Sequence, residues 1–494
     1  MDLTELASLR SAPVPPAAHL IDGTRRAASD GATMDVISPA DGRRLTTMPR
    51  GTGDDAQAAI SAARRAFDDG RWSDLAPAAR KTVLLRWAGL IEAHAMELAV
   101  LGVRNNGTEI GMALKAEPLS AAATIRYYAE AADKLHGEIA PTAPATLGLV
   151  HREPAGVVGA IVPWNFPLMI GAWKLGPALA AGCTVVLKPA ETASLTLLRI
   201  AELALDAGIP AGVLNVVTGE GSVVGAAIAE SRDVDVLVFT GSGATGRRLL
   251  EASARSNLKR VYLELGGKSP NIVFADAPDL DEAAKVSAHG IFRNSGQVCI
   301  AGSRILVERN THDAFVDKLA AVANAMKVGD PLDPTTAAGA INSHAQLEQN
   351  LDFVAEARQA GRRIVTGGTR ILEDTGGFYM APTIVAGVRP EDRLARDEVF
   401  GPVLAVMPFD TEDEAIALAN GTDYGLAAAV WTANLSRAHR MVRRIKAGIV
   451  HVNTYGGSDM TVPLGGVKQS GNGHDKSLHA FDKYLDLKTA WIKL

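Results

Sequence analysis

GVVGAIVPWNFPLMIGAWKLGPALAAGCTVVLKPAE, residues 156–191, carries the pattern from which the fold is read. GVVGAIV (156–162) is a β-branched apolar run of strand length, and TVVLK (184–188) is another. The stretch between them, from about Leu168 to Ala181, reads as a helix. Taken whole, Ala155 to Gly182 has the length of a membrane span. Pro163, Pro167, Lys174 and Pro177 interrupt it, so it resolves into a buried strand, a turn and a helix. The rhythm continues with a helix from about Leu195 to Ala207, then VLNVV (213–217), DVLVFT (235–240) and RVYLEL (260–265), with helices between. Continuous apolar strands separated by helices imply a parallel sheet covered on both faces.

A second α/β series begins near Asn271 and runs to about Gly471, with strands expected at SRILVER (303–309), VLAVMPF (403–409), AAAVWT (427–432) and GIVHVN (448–453). Before residue 135 the chain reads as mostly helical. The segment from His136 to Glu153, rich in Pro, Thr and Ala, breaks the rhythm. The last eleven residues, YLDLKTAWIKL, alternate like a strand with no later partner, a candidate for pairing across a subunit interface.

A chain of 494 residues exceeds what one hydrophobic core supports, so two or three domains are expected. With 47% hydrophobic and 21% charged residues the composition is that of a globular protein, not a disordered one. A net charge of −5 supplies no electrostatic reason for a nucleic-acid partner. Two cysteines build no disulfide framework, which points to a reducing, cytoplasmic compartment. The beginning, MDLTELASLR, is acidic where a secretion signal is basic, so a soluble protein without a membrane partner is expected. No His/Cys spacing fits a metal, and G-x-S-x-G does not occur.

Four motifs bear on chemistry, each with a structural alternative. In TGSGATGR (240–247), Gly241, Gly243 and Gly246 satisfy GxGxxG, and Glu264 follows at the end of the next strand. By rule this is a dinucleotide fingerprint with Glu264 on the adenosine ribose; otherwise it is a tight strand-to-helix turn. Two strand–helix units precede it, whereas the fingerprint normally opens the sheet. In KPAE (188–191), Lys188 and Glu191 suit ribose hydroxyls at a strand's carboxyl end, or form a solvated loop ion pair. In PWNFP (163–167), prolines fix the backbone around Asn165, whose amide is either an oxyanion donor or an ordinary turn group. Cys299, in SGQVCIAG (295–302), has small neighbours that leave a thiol approachable, and LELGGKSP (263–270) offers a carboxylate base. The alternative is a small buried hydrophobe, which is how Cys183 in AAGCTVVLK reads.

Together, PWNFP, KPAE, FTGS…G, LELGGKSPNIVF, GQVC and DEVFGPV (397–403) resemble the NAD(P)-dependent aldehyde dehydrogenase superfamily in order and spacing, from about residue 20 to the C-terminus. The resemblance implies an α/β fold of two Rossmann-like open parallel-sheet domains plus a small β oligomerisation arm. A cofactor-binding domain would comprise residues 1–135 and 156–266, and the arm residues 136–155. A catalytic domain would follow at 267–475, then a C-terminal oligomerisation strand at 476–494. It implies a homodimer or homotetramer. In this family's pattern Cys299 is the nucleophile, the Asn165 amide and the Cys299 N–H hold the oxyanion, and Glu264 is a general base, not a ribose ligand. Lys174 matches a family lysine near the proton path. The cofactor would meet Trp164, Lys188, Glu191, Gly241, Ser242 and Gly246, with Glu398 on the nicotinamide ribose and Phe400 flanking the ring; Gly243 lies outside the pattern. A carboxylate at Glu191 repels a 2′-phosphate, favouring NAD while leaving NADP possible.

GSDMTVPLGGVKQSGNGHDKSLHAFDKY (457–484) further resembles the subgroup acting on γ-glutamyl-γ-aminobutyraldehyde and guanidinobutyraldehyde, enzymes of polyamine and arginine breakdown. There Asp459 would sit in the loop closing the substrate entrance, drawing a cationic or amide-bearing tail, or else cap its own turn. Phe166, Trp173 and Leu464 match positions lining the substrate tunnel. The chain has PLGGVK where the subgroup has PFGGYK, so Leu464 and Val467 replace two aromatics. The alternatives are a general aliphatic or aromatic aldehyde dehydrogenase, an acylating enzyme passing its thioester to coenzyme A, and a non-catalytic binding protein on the same fold.

Overall fold

The structure, a computed structural model, describes residues 2–457 and 459–494. Its first sheet has the strand order Arg260–Glu264, Val236–Thr240, Val157–Ile161, Thr184–Lys188, Leu214–Val216, His19–Ile21, Thr24–Arg26. The first five run parallel, His19–Ile21 lies antiparallel to Leu214–Val216, and Thr24–Arg26 lies antiparallel to His19–Ile21. Val157–Ile161, Thr184–Lys188 and Leu214–Val216 are buried at every residue. That is what apolar character on both faces demands of a sheet covered by helices. The helix Pro167–Ala181 is buried at every residue but Met169. It opens on a proline, whose missing N–H costs nothing in a first turn, and stops at Gly182, left-handed at φ 101°.

The second sheet runs Arg363–Thr366, Thr383–Ala386, Val403–Phe409, Arg304–Glu308, Pro270–Val273, Ala427–Trp431, Ile449–Val452. Only the edge strand Arg363–Thr366 is antiparallel. The molecule is thus two α/β domains on open, mainly parallel sheets.

Two readings are filled in. The chain before residue 135 is not simply helical: the His19–Arg26 hairpin extends the first sheet, and Thr33–Ile37 pairs with Arg44–Pro49. The C-terminal strand Leu485–Lys493, for which no later partner is expected, pairs with an earlier strand of its own chain. It lies antiparallel to Thr146–Pro154 through nine register pairs, with Glu138–Ala140 on the far side.

The parallel arrangement aligns the carboxyl ends of the first sheet. Thr184–Lys188 and Arg260–Glu264 end on Lys188 and Glu264, while Asn165 and Ser242 follow Val157–Ile161 and Val236–Thr240 within a few residues. Ligands gather at such ends in open α/β sheets. Among the described residues no helix is long and apolar enough to cross a membrane.

Candidate active site

The first sheet supplies ligand-holding groups. Lys188 Nζ donates to Glu191 Oε1 at 2.9 Å, and the Gly221 N–H donates to the same oxygen at 2.6 Å. Burial holds the Lys188 ammonium below its ordinary value. Burial pushes Glu191 the other way, but the Lys188 charge and the hydrogen bonds carry its carboxyl below the usual range. Ser242 caps the helix Gly243–Arg255, its hydroxyl accepting the Thr245 N–H at 3.3 Å. A Cβ at Gly246 would come within 3.1 Å of Leu265 and 3.3 Å of Leu263, so a glycine there lets the helix lie close on its strand.

The second sheet brings the thiol. Asn294 and Ser295 hold positive φ values of 48° and 52°, a conformation that persists only when its surroundings over-determine it. They do: the Asn294 amide donates to Asn165 O and Gln297 O, its oxygen accepts from Thr108, and Ser295 Oγ donates to Gly339 O. Asn165 Nδ2 donates to Gln297 O at 2.9 Å, which aims the amide at the Cys299 loop and leaves its second N–H. The two glycines of LELGG permit the closest approaches. A side chain at Gly266 would collide with the Glu398 carboxylate, and a Cβ at Gly267 would lie 2.7 Å from Cys299 O. The Gly267 N–H donates to Glu398 Oε1 at 2.9 Å.

Both halves open on one cleft of about 590 Å³, whose walls include Trp164, Asn165, Gly241, Ser242, Cys299, Glu398 and Phe400. The Trp164 and Phe400 rings meet edge to face, centroids 5.2 Å apart. Cys299 is partly exposed at the wall. Its thiol is pushed up to about 12, first by burial and then by the charges of Glu398 and Glu264. Burial raises Glu398 to about 7. Glu264 is 5% exposed, and its Oε1 has no hydrogen-bond partner among the described residues. Burial, then the neighbouring Asp475, hold its carboxyl well above the usual range, opposed by Lys174 and Lys483.

The arrangement brings a reachable thiol, an amide donor and a buried carboxyl into one region. Its donor set also fits a dinucleotide. A helix N-terminus suits phosphate, an ammonium and a carboxylate suit one ribose, Glu398 suits a second, and two aromatic rings edge the cleft. No His/Cys/Asp/Glu group among the described residues is arranged to hold a metal.

Lys188, Glu191, Gly246 and Glu264 do not line this cleft themselves, and other candidates also lie apart from its wall. Phe166, Trp173 and Leu464 are buried together in one apolar cluster. Asp459 is exposed, its Oδ1 accepting the Thr461 N–H at 2.9 Å and the Thr461 hydroxyl at 2.6 Å, a turn cap. Lys174 is buried against Asp475. Three contributors escape sequence reasoning. Gln346 Nε2 donates to Val399 O at 3.0 Å and Phe400 O at 3.3 Å, holding a loop where Phe400 has a φ of 58°. Asp475 and Lys483 belong to a polar, turn-like segment in which nothing marks them as buried.

A profile described as "Aldehyde dehydrogenase family" matches residues 26–490. Over 474 residues the chain is 50% identical to the NADP/NAD-dependent aldehyde dehydrogenase PuuC of Escherichia coli, covering 96% of this chain and 95% of that protein. Among solved structures, an indole-3-acetaldehyde dehydrogenase complexed with NAD+ superposes with a TM-score of 0.98 at 52% identity, over 100% of both chains. A gamma-glutamyl-gamma-aminobutyraldehyde dehydrogenase from Burkholderia cenocepacia gives 0.97 at 51%, again over 100% of both chains.

Proposed function

The chain belongs to the aldehyde dehydrogenase family, and from that premise we propose that it oxidises an amino-bearing aldehyde to the free acid, with NAD as hydride acceptor. The observation that carries this reading is the Cys299 thiol opening on the cleft that Asn165, Glu398 and Phe400 share.

Cys299 attacks the aldehyde carbon as its thiolate, and the spare Asn165 N–H with the Cys299 backbone N–H stabilises the oxyanion of the thiohemiacetal. A thiol pushed up to about 12 is protonated in the free enzyme, so the proton must leave as substrate arrives, and the carboxylates of Glu398 and Glu264 both lie within electrostatic reach. The chemistry supplied by a bound NAD is acceptance of the hydride leaving the thiohemiacetal carbon. Lys188 and Glu191 would hold the adenosine ribose, Ser242 and the following helix N-terminus would receive phosphate, and Glu398 and Phe400 would hold the nicotinamide end. Glu264 then takes a proton from the water that hydrolyses the thioester. Glu191 beside the ribose disfavours a 2′-phosphate, although the PuuC relative is named for both cofactors. Retention of Glu264 favours release of free acid over transfer to coenzyme A.

The substrate class rests on the 457–484 segment and on the name of the gamma-glutamyl-gamma-aminobutyraldehyde dehydrogenase from Burkholderia cenocepacia among this chain's structural neighbours. An indole-3-acetaldehyde enzyme of equal likeness, and Leu464 in place of an aromatic, set the competing reading. Both readings share the working form: a cytosolic homo-oligomer built on the exposed strand Leu485–Lys493, whose Leu487 and Trp491 side chains are each 69% exposed. NADH formation from γ-glutamyl-γ-aminobutyraldehyde, aminobutyraldehyde, indole-3-acetaldehyde and simple aliphatic aldehydes tests the proposal. The amino-derived aldehydes should show the highest kcat/KM, without need of coenzyme A. A preference for the aliphatic or indole aldehydes would refute it.

A further inference from the structure

Behind the cleft, four ionisable side chains share one buried space. Asp475 forms an ion pair with Lys174 through Oδ2 and with Lys483 through Oδ1, and all three side chains are 4% exposed or less. They come from separate stretches: Lys174 from the helix Pro167–Ala181, Asp475 from the loop after Gly471, Lys483 from the turn Leu478–Lys483. Backbone bridges fasten this loop to the site, Gly471 pairing with Glu264 and Asp475 with Leu464. Glu264 in turn faces Asp475, Lys174, Lys483 and the Cys299 thiol. Tyr128 and Tyr484 also face Asp475, and the Lys483 ammonium lies 5.5 Å from the Tyr484 ring centroid.

One carboxylate is balanced by one ammonium. Here two lysines meet one aspartate away from water. Burial and the Lys174 charge hold Lys483 below its ordinary value, while Asp475 and Glu264 oppose that. With both ammoniums charged, the trio carries one positive charge in excess. An uncompensated buried charge is costly unless an opposite charge stands near. Glu264 is the carboxyl that faces the trio, and it is the group that must ionise to accept a proton from water.

We propose that Lys483 is a positioning residue for thioester hydrolysis: by doubling the cations on Asp475, it leaves a positive charge that favours the carboxylate form of Glu264. This rests on Glu264 being the base in the reading above. No proton passes through Lys483, and no bond to substrate involves it.

The test is the pH dependence of steady-state NADH formation under hydrolysis-limited conditions, read beside the pre-steady-state NADH burst. Lys483→Met should leave the burst intact and move the midpoint up by about one unit, so that the rate at neutral pH falls about tenfold and recovers in alkali. Lys483→Arg should keep the wild-type midpoint. Asp475→Asn with Lys483→Met restores one excess positive charge and should bring the midpoint back. If Lys483→Met fails to fold, Asp475→Asn alone tests the claim with opposite sign, since two unopposed ammoniums should lower the midpoint. An unmoved midpoint in these variants, or a double variant no better than Lys483→Met, overturns the proposal. Glu264→Gln separates the two readings. If it blocks hydrolysis with the burst intact while Lys483→Met leaves the midpoint unmoved, only the role of Lys483 falls. If Glu264→Gln hydrolyses normally, the base assignment falls as well.

Discussion

Cys183 and Cys299 are both thiols pushed up to about 12 with burial as the largest cause, yet they occupy opposite kinds of place. Cys183 is 0% exposed in the core between the helix Pro167–Ala181 and the strand Thr184–Lys188, and its Sγ donates to Tyr484 O at 3.3 Å. Cys299 borders an open cleft, and its loop is held by strained backbone and glycines, not by packed bulk. The carboxylates of Glu398 and Glu264 add to the burial around Cys299, whereas at Cys183 backbone hydrogen bonds from Gly156 and Ala155 oppose the burial and the one added charge, Asp235, is opposed by Arg260. Low free-enzyme acidity therefore does not separate a structural thiol from a reactive one. What separates them is adjoining space, an aimed donor and a base.

The largest break in that comparison comes from removing each sulfur. Cys299→Ala should lose at least about 10³-fold in NADH production, because covalent catalysis has no substitute nucleophile here. Cys183→Ala should stay within about twofold of wild type. Equal loss in both would mean that the cleft thiol is not the nucleophile.

The carboxylates around Cys299 sharpen the contrast further. Glu398, raised to about 7, is ionised above neutrality and then disfavours the adjacent thiolate. Glu398→Gln should therefore speed iodoacetamide labelling of Cys299 in the free enzyme by roughly threefold at about pH 8. The difference should vanish near pH 6, where the wild-type carboxyl is protonated. Labelling of Cys183 should not change at either pH. Identical Cys299 rates at both pH values would assign the raised thiol to burial alone.

How much of this the sequence discloses follows the same divide between local and distant causes. Thr184–Lys188 and Val403–Phe409 have the bounds that their apolar runs predict, because a strand buried on both faces writes its own pattern. The edge strands escape that logic. Thr24–Arg26 is exposed throughout, and Arg363–Thr366 is buried nowhere, so neither carries an apolar signature. The C-terminal strand is legible as a strand, but not its partner, since a pairing across some 330 residues leaves no periodicity to read. At the site, Cys299, Asn165 and Glu264 stand out because prolines, glycines and strand ends surround them. Asp475 and Lys483 do not: the polar segment after Gly471 is folded in beside Glu264 of the first sheet and Lys174 of the helix Pro167–Ala181, contacts distant in sequence.

The smallest effect tests the other side of the comparison, that Cys183 is packing and nothing more. Removing its sulfur leaves no polar group stranded, because Tyr484 O also accepts the Ala155 N–H at 2.9 Å. The cost of Cys183→Ala is then one weak S–H bond and the volume of one atom, about 1 kcal/mol. That corresponds to a Tm lower by about 2–4 °C in a domain of this size. Cys183→Ser keeps the volume and can donate more strongly to the same carbonyl, so it should fall by no more than the alanine variant. A Tm loss of more than about 10 °C in either variant, or a shift in the pH dependence of NADH formation, would show that this sulfur does more than fill the seam between helix, strand and C-terminal segment.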